Sequence, residues 1–255
     1  MKIKILILLF LLPFCLQAAT ITQSFSSNPN WTSSNLPIGN NDYGYRTSSY
    51  SGGSAGEIGG NFARSYYNSY YADTNIGTLS QNDLISASGK FNMVSIAADY
   101  NNNTVFSHFD KSAFISTGTN SIGIMFLESS STSYRIVYRI GDSQDLMFTL
   151  SGLNQVRTWS YSYNPNIGYG QFVFTVSGSG GGTQTVNLTQ SQRNSIGNLN
   201  AFGFATFNNN GTTGPISLFM DDIAYTTAIQ VPETSIFFLM IVGILIFNSL
   251  RNYSL

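Results

Sequence analysis

Few residues in this 255-residue chain are equipped for acid–base or nucleophilic chemistry. Glycoside hydrolysis needs two carboxyl groups across a cleft, yet between residues 20 and 230 the only glutamates are Glu57 and Glu128. Glu128 closes the apolar run 121–127 and is followed by three serines, which predicts a strand-end residue facing solvent. Asp221 and Asp222 are adjacent, so strand alternation sends them to opposite faces and denies them a close pair. Gly52-Gly53-Ser54-Ala55-Gly56 has the letters of Gly-x-Ser-x-Gly, but that motif works as a sharp turn from a buried strand into a helix, and neither flank is present. His108 is the only histidine, so a multi-histidine zinc site is excluded and a packed strand histidine is expected. The oxygen-rich loops 99–103 and Asp142/Asp145 leave Ca²⁺ open, although neither has EF-hand spacing. No other cofactor and no catalytic residue is assigned.

Aromatic residues carry the one positive indication. Trp159, Tyr161 and Tyr163 alternate along one strand face, and Tyr66, Tyr67, Tyr70 and Tyr71 cluster in a polar stretch. Flat rings stack on sugars, with asparagine and aspartate nearby for the hydroxyls. Trp159, Tyr66, Tyr67, Tyr70 and Tyr71 are therefore the glycan-contact candidates. For Trp159 the competing assignment is the hydrophobic core.

These residues need a frame. Charged side chains make up 9% of the chain while aromatics make up 14%, so a packed core is available and a charged disordered chain is excluded. Residues 20–230 hold 8 Lys+Arg against 11 Asp+Glu. The resulting charge of about −3 argues against a nucleic-acid partner, which needs a basic face. Period-2 alternation is clearest in Tyr134–Ile140, where Tyr134, Ile136, Tyr138 and Ile140 share a face opposite Arg135 and Arg139. The run 121–128 is apolar on both faces and predicts a central strand. Phe172, Phe174 and Val176, then Phe202 and Phe204, then Ile216, Leu218 and Met220 repeat the alternation. Further strands are expected at 21–27, 84–98, 104–109, 145–150, 156–163 and 183–188. One helical turn is expected at 190–196, capped by Thr189 and ended by Gly197. Residues 177–183 are rich in glycine and serine but join two alternating segments, so they read as a hairpin loop and not a domain boundary. Ten to fourteen strands without a long amphipathic helix make an all-β sandwich.

The series Trp159–Pro165, Gly170–Val176, Thr185–Leu188, Ala201–Phe204 and Phe219–Thr226 resembles the concanavalin A-like jelly roll. The likeness spans 100 to 200 residues and includes the Asp-Asp-hydrophobic pattern of its last strand. That family contains lectins, laminin-G-like modules and glycoside hydrolases, so it implies a fold without fixing an activity. The chain lacks the Glu-x-Asp-x-(x)-Glu run of the laminarinase-type enzymes. A structural or glycan-contacting role in the extracellular matrix is the leading expectation. A polysaccharide hydrolase or lyase on the same scaffold is the alternative.

The termini suggest where the chain goes. Lys2 and Lys4, the apolar run 5–16 and the small residues Ala18 and Ala19 form a signal-peptide pattern over 1–19. Cleavage there by signal peptidase removes Cys15, the only cysteine. At the other end Val231-Pro232-Glu233 precedes an apolar run from Ile236 to Phe247 and then Arg251. This order resembles the PEP-CTERM sorting signal, whose processing enzyme is an exosortase. Pro232 and Glu233 match the family tripeptide, Thr234 replaces its second proline, and Arg251 stands alone where the family has a basic cluster. The resemblance implies an exported precursor, held in the inner membrane by its C-terminal helix and passed on to the cell surface or matrix. The expected division is 1–19 signal peptide, 20–230 sandwich domain and 231–255 sorting signal. Deleting Ile236–Leu255 should release the protein from the membrane fraction still folded. Replacing Pro232 and Glu233 by alanine should leave it anchored and unprocessed in an exosortase-containing host. Identical processing of parent and Ala-Ala variant would mean that the segment is a plain anchor.

Overall fold

The computed structural model describes residues 19–63, 67–97, 103–117, 119–207 and 214–228. Residues 1–18 of the signal-peptide expectation and the whole sorting signal therefore lie outside the described residues, as do Tyr66 and the Asp99 loop as far as Asn102. Among the described residues no helix is long and apolar enough to cross a membrane.

The strands are β1 Ala19–Gln23, β2 Thr32–Ser34, β3 Asp42–Arg46, β4 Glu57–Phe62, β5 Ser69–Asp73 and β6 Leu79–Ser80. After β7 Ile85–Ile96 and β8 Thr104–Phe109 comes helix α1 Lys111–Thr117, then β9 Ser121–Ser130, β10 Ser133–Ile140 and β11 Ser143–Ser151. The chain continues through β12 Val156–Asn164, β13 Gln171–Val176, β14 Gly182–Asn187, helix α2 Gln190–Asn194, β15 Asn198–Leu199, β16 Ala201–Thr206 and β17 Ile216–Thr227. Sheet A runs β14-β13-β12-β7-β17-β4-β3, with β1 also pairing β17. Sheet B runs β11-β10-β9-β8-β16-β5-β2, and β6 and β15 make a two-stranded ribbon. Every pairing is antiparallel, and non-consecutive neighbours such as β7-β17 and β8-β16 give the long crossovers of a two-sheet sandwich.

Alternation explains the core. Phe91, Trp159, Tyr161, Phe172, Phe174 and Tyr225 of sheet A meet Phe106, Phe126, Tyr134, Phe202 and Phe204 of sheet B in one buried cluster. Polar bridges also cross between the sheets. Tyr225 donates to Asp73 Oδ2 at 2.6 Å, and the Tyr43 hydroxyl meets Ser69 and Thr206 at 2.9 and 3.2 Å. His108 Nε2 donates to the Thr226 carbonyl at 2.9 Å, so Nδ1 accepts from the Tyr161 hydroxyl at 2.8 Å.

Sheet B also buries its other face. Val105, Phe109, Met125, Val137, Ala201 and Ala205 form a second cluster with Phe114 of α1. Asp110 starts α1 by accepting from the backbone N–H groups of Ser112 and Ala113 at 2.8 and 3.3 Å. Arg139 consequently does not face water as alternation predicts. It is 6% exposed, and its guanidinium sits 4.8 Å from the centre of the Phe207 ring. The α2 turn has the expected cap, with Thr189 and Gln192 forming a reciprocal capping box.

The glycine-rich segment after β13 is a hairpin loop, pinned from beneath by a buried arginine. Arg157 Nη1 donates to the carbonyls of Ser177 and Ser179 at 2.9 and 3.1 Å, and Nη2 donates to that of Ser151 at 2.9 Å. Replacing Arg157 by methionine keeps the stem but strands these carbonyls. A loss of about 3 kcal/mol in urea-melt stability is expected. A loss below about 0.5 kcal/mol would show that the loop repacks freely.

Candidate functional site

Strand alternation and register decide which candidates reach a surface. Trp159 is 3% exposed, packed edge-on against Phe106 at 5.5 Å, so it is a core residue and not a sugar platform. Tyr70 and Tyr71 are neighbours on β5 and point to opposite faces, yet both are buried: Tyr70 against Phe109, Tyr71 against Trp31. The apolar cover on the far side of sheet B hides Tyr70, which is why the cluster does not present as one face. Of the candidates, Tyr67 is exposed.

The residues weighed for catalysis are displaced in the same way. Glu128 does not face solvent. It is 1% exposed because it follows Ile122, Ile124 and Phe126 in parity and is the cross-strand partner of Tyr134. His108 is fully buried, and burial lowers its pKa to about 4, so the imidazole is neutral and packed inside. Ser54 lies in the loop between β3 and β4, and a strand follows where the nucleophile motif requires a helix. Asp142 lies in the β10–β11 turn and Asp145 in β11, and no group of three or more His, Cys, Asp or Glu among the described residues is placed to hold a metal.

The outer face of sheet A is where polar groups gather. The β4–β17 register ends at Met220↔Ile58, so its continuation sets Asp221 beside Glu57, while β7 sets Lys90 on the other side of Asp221. A bulge between Asp221 and Ala224, with Asp222 at φ 49°, breaks the strict alternation expected of the two aspartates. Asp222 bonds Lys90 at 2.5 Å, and Lys90 also acts electrostatically on Asp221. Glu57 is fully buried, its two carboxylate oxygens accepting from the backbone N–H groups of Tyr50 and Ser51 at 2.9 and 2.8 Å. Asn92 donates to the Tyr50 carbonyl at 2.6 Å. Together these clamps draw the loop between β3 and β4 down across the sheet. Gly53, at φ +87°, rests on Asp221: a Cβ there would lie 3.0 Å from Oδ2. Burial beneath this loop is the main cause that raises the Asp221 pKa to about 6; the Asp222 N–H opposes it, and the charges of Asp222 and Glu57 add to it.

The clamped loop presents an aromatic pair that sequence reasoning missed. Tyr50 is 49% exposed and packs on Phe219 at a ring separation of 4.6 Å. Around them Asp42, Arg46, Thr47, Ser48, Gly60 and Asn61 line an open depression of about 390 Å³, within the range of small-ligand sites. Arg46 and Asp42 form an exposed ion pair at 2.6 Å on its rim. Elsewhere on sheet A, a second depression of about 420 Å³ is lined by Ser86, Ser88, Ser160, Ser162, Thr175 and other small residues, without a charged side chain. The available signal was the Tyr50/Phe219 pairing of a glycine-rich loop with a strand 169 residues away, which one sequence does not display.

No family model matches the chain, and no curated protein matches it. Solved structures do. The acidic lectin of winged bean, solved with methyl-α-D-galactose, aligns with a TM-score of 0.50 at 11% identity over 84% of this chain and 100% of that one. The basic winged bean lectin, solved with Tn-antigen, aligns with a TM-score of 0.50 at 7% identity over 85% of this chain and 100% of that one. The fold is a lectin-type jelly roll. A family 7 alginate lyase in complex with substrate also matches, with a TM-score of 0.42 at 10% identity over 74% of this chain and 79% of that one. At such identities the lectin alignments bear on the fold alone, and they bear out the sandwich expected from the strand pattern and the jelly roll implied by the resemblance.

The buried charges generate a pH prediction. Between pH 4 and 6 folded Asp221 keeps a proton that the unfolded chain releases, so its contribution to stability falls as pH rises through that window. His108 has the opposite sign: its burial as a neutral ring costs stability as pH falls from 6.5 towards 4. The Asp221→Asn variant should therefore gain on the parent as pH rises from 4 to 6, by about 1 to 3 kcal/mol in all, and hold that gain above. A difference that does not change with pH in urea melts would contradict the assignment.

Proposed function

We propose that this chain is an exported, surface-sorted jelly-roll protein whose sandwich contacts polysaccharide without catalysing its cleavage. The observation that carries the glycan contact is the exposed Tyr50 ring, backed by the buried Phe219 and ringed by Asp42, Arg46, Ser48 and Asn61. Such a platform gives a sugar's apolar face a ring to pack on and its hydroxyls both donors and acceptors. The likeness to lectins crystallised with galactose and Tn-antigen is consistent with this reading. Signal peptidase and an exosortase would be its processing partners, and residues Val231, Pro232, Glu233 and Arg251 its sorting signal.

The non-catalytic part draws support from the carboxylates. Glu57 and Asp221 neighbour each other, but Glu57 holds a loop with both oxygens and Gly53 covers Asp221. Both carboxyl groups are buried beneath that loop, out of reach of a substrate oxygen. A hydrolase or lyase would need an accessible acid–base group with the usual hundredfold or larger effect on rate.

The test is retention of the full-length chain, purified in mild detergent, on an array of bacterial and plant polysaccharides. Retention without release of reducing ends or unsaturated products is expected, and Tyr50→Ala should weaken it at least tenfold without lowering the melting temperature. Product release abolished by Glu57→Gln or Asp221→Asn would establish the enzyme alternative instead.

A further inference from the structure

We infer that the Tyr50–Phe219 depression is selective for neutral sugar rings with neighbouring free hydroxyls, and that the Asp42–Arg46 pair on its rim sets this selectivity. The inference rests on the glycan-contacting reading above and names the ligand class for that site. Its first support is the pairing of opposite hydrogen-bonding roles. Asp42 Oδ1 accepts from Arg46 Nη2 at 2.6 Å, and the same nitrogen donates to the Asp42 carbonyl at 2.9 Å. The carboxylate keeps free acceptor sites and the guanidinium keeps free donors. An acceptor and a donor held side by side match two adjacent hydroxyl groups, each of which donates and accepts.

Charge on this face gives the second support. Arg46 is balanced by Asp42 and Lys90 by Asp222, while Glu57 lies buried under the loop. Among the described residues of this face no cation is left over to meet a uronate or a sulfate. An anionic chain would approach a face whose positive charges are already paired and whose remainder is negative. The partners lie on one strand edge, where β3 pairs only β4, so a polymer can enter from the side while one of its rings sits on Tyr50.

This separation of charges makes the selectivity reversible by one atom-sized change. Asp42→Asn removes the counter-charge, leaves Arg46 as a free cation and keeps an acceptor at the same position. The pair is exposed, so the fold should stand essentially unchanged.

The experiment is affinity electrophoresis of the full-length chain in detergent, through gels containing galactomannan, xyloglucan, polygalacturonate or alginate. The parent should be retarded by a neutral polymer and not by the acidic ones. Asp42→Asn should bind the neutral polymer about tenfold more weakly and gain measurable retardation on an acidic polymer that fades with added salt. Parent retardation by the acidic polymers alone, or an Asp42→Asn variant whose preference is unchanged, overturns the inference while leaving glycan contact standing. No retardation of the parent by any of the four polymers, together with no retention on the array, overturns the reading beneath it.

Discussion

Ring-to-ring contact between the two sheets is the constraint on which the rest of this molecule depends. Phe106 and Phe202 lie 5.0 Å apart on neighbouring strands of sheet B, Phe106 meets Trp159 at 5.5 Å, and Phe202 stacks on Tyr225 at 4.2 Å. Because inward positions are filled by aromatic rings, ring packing closes the core of the sandwich. The Tyr43, Tyr161 and Tyr225 hydroxyls and the His108 imidazole are satisfied across the same interface. His108, Tyr161 and Tyr225 are thus consumed by packing. Chemistry has to come from the outward positions.

The outward faces of the two sheets differ in kind. On sheet B, α1 and the Phe109–Phe114–Phe207 contacts cover the strands, and even Arg139 is drawn onto a ring. On sheet A the outward residues are mostly polar, Phe219 being an exception, and the loop between β3 and β4 is laid across them. Glu57 and Asn92 hold that loop down over Asp221, at the cost of burying two acidic groups side by side. The result is a tyrosine set at the surface on a buried phenylalanine, in fixed relation to polar groups. Pre-organisation of this kind lowers the ordering cost of binding.

The sequence made the fold legible wherever one face of a strand is buried and the next residue is not. Tyr134–Ile140, Phe172–Val176 and the 121–128 run announced their strands by period, and Thr189 announced a helix cap. Strands β2, β3, β4 and β5 did not. Gly59 and Gly60 in β4 carry no side chain to show a period; at Gly59, φ is +142° and a Cβ would lie 2.2 Å from the Leu218 carbonyl oxygen. In β5 both Tyr70 and Tyr71 are buried, which erases alternation altogether. The same double burial misled the reading of the tyrosine cluster as a surface, and it hid Glu128 inside. The site depends on contacts between Tyr50 and Phe219 and between Glu57 and the loop, and only the folded register brings those together.

The most direct test of the account is where a bound polysaccharide touches the protein. Amide hydrogen exchange of the full-length chain, with and without a retained neutral polysaccharide, reads this strand by strand. The account predicts new protection confined to β3, β4, β17 and the loop carrying Tyr50, with β9, β10 and β11 unchanged. Protection centred on sheet B, or spread with no focus at Tyr50, would contradict it.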